Sequence, residues 1–221
     1  MGEASAAIWD VDGTLVDTAE LHFAAWKAVA AERGRPFSRA DFARTFGRRN
    51  PEIIGVLFAG VGDAESVELA DRKEELYREA ARAGVGLLPG VARLLEGLDR
   101  AGFRQAVGSS APRANLDLIL RLTGVERFFP VVVSGEDTQR GKPDPQVFLL
   151  AAERLGVPPA RCVVLEDAVA GVEAAKAGGM KCVAVRFVGH HPAEALRRVG
   201  ADLVAESLEA VTAEDVRRLL D

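Results

Sequence analysis

Cysteine, histidine and long apolar runs are all scarce in this chain of 221 residues. The two cysteines, Cys162 and Cys182, each sit inside a short apolar run. They read as buried free thiols, which excludes a disulfide framework and a thiolate metal site. Three histidines are too few for a His-rich metal centre. No apolar stretch approaches the roughly 18 residues of a membrane span. The opening Met-Gly-Glu-Ala-Ser carries no basic stretch ahead of an apolar core and lacks a Ser or Thr at position 6, so neither a leader nor myristoylation is expected. A net charge of −5 provides no long-range attraction for nucleic acid or an anionic membrane. These absences predict a cytoplasmic protein without nucleic-acid or membrane partners, most simply a monomer. An anionic substrate would have to be held by local cations, meaning a metal or a few placed Lys and Arg.

Hydrophobic residues make up 48% and charged residues 28%, ordinary for a globular protein, and the length suits one large domain or one domain with an insert. From Pro89 onward helical and strand patterns alternate. Helices are predicted at 91–100, 112–122, 144–155, 168–177 and near 192–199, and strands at 103–108, 131–133, 161–165 and 181–185. Residues 6–11 match these strands. Short, nearly continuous apolar strands separated by helices indicate an α/β fold, a doubly wound parallel sheet covered on both faces. Such sheets bind ligands beyond the carboxyl ends of their strands.

Residues 19–87 break that rhythm and read as helical throughout. Thr18 can cap a helix running to about Arg33, Ser38 with Asp41 resembles a capping box, and Asn50-Pro51 reads as an N-cap followed by a first-turn Pro. A last long helix spans about Ala64–Ala83 and ends at Gly84. The expected organisation is an α/β core of residues 1–17 and 88–221 with a helical cap, 18–87, inserted after the first strand. Connections near 15–18 and 85–89 would act as hinges.

The chemistry concentrates after the strands. In Ala6-Ala7-Ile8-Trp9-Asp10-Val11-Asp12-Gly13-Thr14 an apolar stretch empties into two carboxylates one residue apart. Period 2 can aim Asp10 and Asp12 at one site, and two such charges need a cation between them or a retained proton. The competing reading is a strand ending in an ordinary Asp-Gly turn. Ser109-Ser110 follows the strand 103–108, where hydroxyls and amides can hold phosphate oxygens, or where Ser simply caps the next helix. Lys142 is fixed between Gly141 and Pro143 just before a helix, unlike a solvated surface lysine. Glu166-Asp167 ends the strand 161–165, suited to a hard cation or, for Asp167, to an N-cap.

In this order and placement, Asp-Val-Asp-Gly-Thr, Ser109, Lys142 and Glu166-Asp167 resemble the four motifs of the haloacid dehalogenase superfamily of phosphotransferases, over the whole chain. The insertion point resembles its helical-cap class and the Rossmann-like core of that superfamily. The resemblance implies that Asp10 is the nucleophile forming an aspartyl-phosphate and Asp12 the general acid and base. It implies Mg²⁺ held by Asp10, the Asp12 backbone carbonyl and Asp167, with Glu166 in or near the shell. Ser109, Ser110 and Lys142 would bind the transferring phosphoryl group. A metal plus a lysine would cancel the repulsion between carboxylate and phosphate. The second aspartate points away from the superfamily's dehalogenases and toward a phosphate ester.

Within the superfamily the chain is most similar to β-phosphoglucomutase and the related sugar-phosphate phosphatases. Thr18–Trp26 is similar to that mutase's first cap helix, with His22 and Trp26 at i and i+4 on one face; helix packing is the other reading of Trp26. Leu69-Ala70-Asp71-Arg72-Lys73 is similar to its second substrate-facing segment, or else the exposed face of a charged helix. The cap loop Phe46-Gly47-Arg48-Arg49-Asn50-Pro51 has arginines, Arg49 being the substrate-binding candidate, but not in the mutase's phosphate-clamping pattern. The loop after Ser109 lacks the family's Asn, which leaves Arg113 or Asn115 as substitutes. A missing second phosphate clamp favours hydrolysis. The expected function is a Mg²⁺-dependent phosphatase of small phosphorylated sugars, gated by cap closure. The alternatives are β-phosphoglucomutase activity and, remotely, a non-catalytic phospho-acceptor module.

Overall fold

The computed structural model describes residues 4–45, 48–189 and 191–221. Six parallel strands form one sheet in the order β3-β2-β1-β4-β5-β6, where β1 is Ala6–Trp9, β2 Arg104–Gly108, β3 Val131–Val133, β4 Cys162–Glu166, β5 Lys181–Val185 and β6 Leu203–Ala205. All four residues of β1 and all five of β4 are buried, as strands covered on both faces must be. The strand order reverses at β1, so the crevice for a ligand opens beyond the ends of β1, β2 and β4.

Side-chain alternation sorts the core. Ala6, Ile8, Ala106, Cys162, Val164, Cys182 and Ala184 share one face with Phe148, Ala151 and Val172. Phe148 and Ala151 belong to α7 (Gln146–Leu155), and Val172 to α8 (Val169–Ala177). Trp9 is fully buried, and its Nε1 donates to Gln105 Oε1 (3.1 Å) while Gln105 Nε2 donates to Leu95 O (3.0 Å). That chain of bonds satisfies each of these buried polar groups and ties β1 to β2 and to helix α5 (Val91–Arg100).

The chain divides into two compact units, Met1–Asp17 with Gly86–Asp221, and Thr18–Val85. The places where the first unit gives up and resumes the chain are joined to each other. Leu88 N donates to Leu15 O (2.8 Å), and Val16 bridges Leu87 antiparallel.

The second unit consists of Ala19–Glu32 (α1), Arg39–Thr45 (α2), Asn50–Leu57 (α3) and Asp63–Arg82 (α4), with α1 and α3 packed on α4. Leu69, Tyr77 and Ala81 of α4 are buried at multiples of four residues, and Lys73 occupies the same stripe. Phe23, Phe37 and Phe42 form an aromatic cluster with centroids 5.6–6.5 Å apart. The Ser38–Asp41 capping box is present: Ser38 N and Oγ donate to Asp41 Oδ2 (3.0 and 2.6 Å), and Asp41 N donates to Ser38 Oγ (3.2 Å).

Several sequence expectations are corrected. β1 stops at Trp9 rather than Val11, because the Val11 carbonyl turns back to accept from Thr14, Leu15 and Val16. Thr18 stands at the N-cap of α1, yet its side chain does not cap the helix. Arg49, not Asn50, is the N-cap of α3, and the Asn50 amide instead donates to Glu74 Oε1 (2.7 Å). The helix expected from 144 starts at Gln146, whose N–H donates to Asp144 Oδ1 (3.0 Å). β6 was not expected; its three half-buried residues, Leu203-Val204-Ala205, lack the run of β-branched side chains that marks the equally short β3.

Candidate active site at the carboxyl edge of the sheet

Register places the motif residues together. Trp9 pairs with Val107 and with Leu165, so Asp10 lies level with Gly108 and Glu166, and its N–H continues the ladder to Leu165 O (3.0 Å). Ile8 and Val164 face α7 and α8, and two residues further on Asp10 and Glu166 project to that same side. Gly108 leaves room there: a Cβ at that position would stand 2.9 Å from Phe148 Cδ1 and 3.1 Å from Ile8 Cγ2. The Phe148 ring in turn lies 4.7 Å beneath Lys142 Nζ.

Lys142 Nζ donates to Asp10 Oδ1 (2.6 Å) and to Glu166 Oε1 (2.8 Å), with all three side chains buried. Burial works against the ammonium's charge, but the charges of Asp10 and Glu166 and their hydrogen bonds overcome it and raise its pKa. Lys142 is therefore a fixed positive charge. Asp10 is displaced in the other sense. Burial pushes its carboxyl up to about 7, helped by Glu166 and Asp12 and opposed by Lys142. Asp167 is raised well above the usual carboxylate range by burial, with Glu166 and Asp10 adding to the effect.

Asp10, Glu166 and Asp167 bring carboxylate oxygens within 4.8 Å of one another. Burial resists the ionisation of Asp10 and Asp167, and three carboxylate-bearing side chains this close offer the oxygen donors a hard divalent cation takes, so this donor set fits Mg²⁺. Gly13 makes the approach possible. Its φ is +87°, and a Cβ there would lie 2.5 Å from Asp167 Cγ and closer still to Oδ2. Asp167 does not cap α8, whose N-cap is Ala168. Glu166 Oε2 instead accepts the N–H groups of Asp167 (2.6 Å) and Ala168 (2.5 Å), and so fixes the turn.

Asp12 is placed by the Val11 turn rather than by strand alternation, the last ladder bond being that of the Asp10 N–H. It is half-buried, and its carboxylate stands outside the three-carboxylate group. Ser109 is buried, its N–H donating to Val133 O (3.1 Å) and its Oγ accepting from Ala111 N (3.2 Å). It does not cap the next helix, α6 (Arg113–Thr123), whose N-cap is Pro112. Ser110 is half-buried beside it. Gly135 N donates to Ala111 O (2.9 Å), and a Cβ on Gly135 would meet the Ser110 carbonyl. Arg113 is committed to Asp117 in an exposed ion pair (2.7 Å), whereas Asn115 is buried.

The helical unit gathers its own polar group. Lys73 Nζ lies 2.8 Å from His22 Nδ1 and 2.8 Å from Glu74 Oε1, and 5.7 Å from the centroid of the buried Trp26 ring. The His22 ring stacks on Tyr77 with centroids 4.3 Å apart. Burial pushes the Glu74 carboxyl up, but the Lys73 and His22 charges and the bonds from Lys73 and Asn50 outweigh it and hold its pKa low. Lys73 is thus buried, not part of an exposed helix face. Arg49 is half-buried at the start of α3; Phe46 and Gly47 of the adjoining loop lie outside the described residues. Sequence reasoning missed Glu74 and Tyr77 as neighbours of Lys73, and Asn50 as the partner of Glu74. The detectable signal is Lys73 taking one position in the otherwise apolar series Leu69, Tyr77, Ala81.

Comparison with known proteins gives the family. Residues 4–179 match the model of the haloacid dehalogenase-like hydrolases. The chain is 36% identical to the β-phosphoglucomutase of Bacillus subtilis over 217 residues, covering 95% of this chain and 92% of the relative. It is 36% identical to a phosphorylated carbohydrates phosphatase of Thermotoga maritima over 179 residues, covering 80% and 82%. The crystal structure of β-phosphoglucomutase from Clostridium difficile superposes with a TM-score of 0.87 at 26% identity, covering 98% of this chain and 97% of that one. Among the described residues no helix is long and apolar enough to cross a membrane. Sheet order, the carboxylates grouped around Lys142 and these matches lead to one assignment: the chain belongs to the haloacid dehalogenase-like hydrolase family and is an enzyme of its phosphatase and phosphomutase type.

Proposed function

We propose that this enzyme is a Mg²⁺-dependent phosphatase of small phosphorylated sugars that works through an aspartyl-phosphate on Asp10. The observation that carries the reading is the buried Lys142 held between Asp10 and Glu166 with Asp167 alongside. Asp10, Asp167 and the Asp12 carbonyl, with Glu166 in reach, would hold Mg²⁺, whose charge offsets the repulsion between carboxylate and phosphate. An Asp10 carboxylate oxygen attacks phosphorus and the bond from phosphorus to the sugar oxygen breaks. Asp12 gives its proton to that leaving oxygen. Asp12 then takes a proton from water as the water oxygen attacks phosphorus; the Asp10–phosphorus bond breaks and inorganic phosphate leaves. Lys142 and Ser109, with Ser110, hold the phosphoryl oxygens throughout. His22, Trp26, Arg49 and Lys73 are proposed to recognise the sugar.

Hydrolysis is preferred over transfer to a second sugar phosphate because the arginines of the cap loop 46–51 do not follow the mutase's phosphate-clamping pattern. Arg113, one substitute for the missing loop Asn, is tied to Asp117 on an exposed flank. The second reading, β-phosphoglucomutase activity, is favoured by the likeness to the B. subtilis mutase along 95% of this chain. Phosphate release from a panel of sugar phosphates, run beside a coupled mutase assay primed with bisphosphate, separates the two. Release of phosphate with little interconversion is expected. Efficient interconversion with negligible release would establish the second reading instead. Asp10→Asn is expected to abolish either activity, and full activity in that variant would sink the aspartyl-phosphate.

A further inference from the structure

We infer that Gly171 is a positioning residue for the reaction, acting through Glu166 on Lys142 and Asp10. Gly171 lies in the first turn of α8, buried, where its N–H donates to Ala168 O (3.1 Å). A Cβ built on it would lie 2.6 Å from Glu166 Cγ and closer still to Cδ and Oε1. The atom it would strike is not the loose end of a flexible chain. Oε1 is the acceptor for Lys142 Nζ, and Oε2 on the same carboxylate receives the N–H groups of Asp167 and Ala168.

Glu166 therefore cannot step aside without releasing the lysine, the turn that carries Asp167, or both. Lys142 Nζ spans Glu166 and Asp10, so a displacement of the Glu166 carboxylate passes to the Asp10 carboxylate through one ammonium group. Helix propensity runs the other way. Alanine is ordinarily the better residue inside a helix, so glycine in α8 is a local disadvantage that the carboxylate's close approach accounts for. Misplacing reacting groups by about 1 Å can cost a hundredfold in rate.

The inference rests on the reading of Asp10 and Lys142 given above. The experiment measures kcat, KM and thermal melting for Gly171→Ala, Glu166→Ala, their double variant and Asp10→Asn, in the full chain with Mg²⁺. Gly171→Ala is expected to lower kcat at least tenfold with KM within about twofold. In the Glu166→Ala background the same change should alter kcat less than twofold, because the group it displaces is gone. Should Gly171→Ala alone unfold the chain, recovery of the fold in the double variant supports the same contact. Unchanged kcat in Gly171→Ala, an equal loss in both backgrounds, or a double variant that still fails to fold would overturn the inference. Activity retained by Asp10→Asn would overturn both this inference and the phosphoryl-transfer reading; loss in Asp10→Asn with unchanged Gly171→Ala overturns this one alone.

Discussion

Lys142 Nζ stands 2.6 Å from Asp10 Oδ1, joining residues 132 positions apart in the chain. This contact carries a consequence for stability as well as for chemistry. Lys142→Met removes the cation that both Asp10 and Glu166 face and leaves their carboxylates buried against each other. Loss of one partner of a buried ion pair costs about 3–5 kcal/mol. Thermal or urea unfolding of the metal-free variant should show a loss of that order, and phosphate release should fall at least about a hundredfold. A variant as stable as the parent would contradict the role given to Lys142.

Gly13→Ala puts a side chain on a backbone with φ of +87° and drives it into the Asp167 carboxylate. Backbone strain of this kind costs about 1–3 kcal/mol. The expected result is a lower melting temperature together with an apparent Mg²⁺ requirement at least tenfold higher, read by titrating Mg²⁺ into the phosphatase assay. An unchanged Mg²⁺ curve would show that Asp167 does not serve the cation.

Gln105→Leu tests a contact that serves the fold alone. The Trp9 Nε1 donor would lose its buried partner, whereas the Leu95 carbonyl lies inside the helix and is not orphaned. Such an orphan donor costs about 1–3 kcal/mol. Denaturant midpoints should fall accordingly while KM stays near the parent value. Adding Trp9→Phe should recover part of the loss, since it removes the stranded donor.

A pH effect is expected at the Ser134–Asp137 turn. Bonds from Ser134 N and Oγ, with Arg154 adding to them, lower the Asp137 carboxyl from 3.8 to about 2. The unfolded chain takes up this proton before the folded one does. The stabilisation is therefore present above pH 3.8 and is lost as pH falls through about 2. Asp137→Asn should melt lower than the parent at pH 6, by an amount typical of a lost cap, about 1 kcal/mol, and the difference should shrink toward pH 2. A difference independent of pH would rule out the charge as its source.

Much of the sheet and its edge was legible in the sequence, for a physical reason. Strands covered on both faces must be apolar along their length, so Ala6–Trp9 and Cys162–Leu165 announce themselves, and the polar residues that follow each one mark the edge. Asp10, Ser109 and Glu166 could be found in this way, whereas Lys142 stood out by its place between Gly141 and Pro143 just before a helix. Asp12 could not be placed correctly, because its position depends on where β1 stops, and that is decided by the Val11 carbonyl turning back on residues 14–16. Glu74 was invisible for a different reason. A charged residue beside Lys73 on a charged helix looks exposed until the partner that crosses from α3, Asn50, is known. β6 was missed for its composition: Leu203-Val204-Ala205 has one β-branched residue where the equally short β3 has three.

The bond between Leu88 and Leu15 has a bearing on how this chain can be remodelled. Departure and return of the polypeptide are pinned within one hydrogen bond of each other, so the intervening segment is a closed loop as far as the sheet is concerned. The entropy of closing a loop grows only logarithmically with its length, each doubling adding about 0.6 kcal/mol. On this ground the sheet is expected to keep its fold when residues 18–85 are exchanged for the helical segment of a relative, an outcome that thermal melting of such a chimera would check.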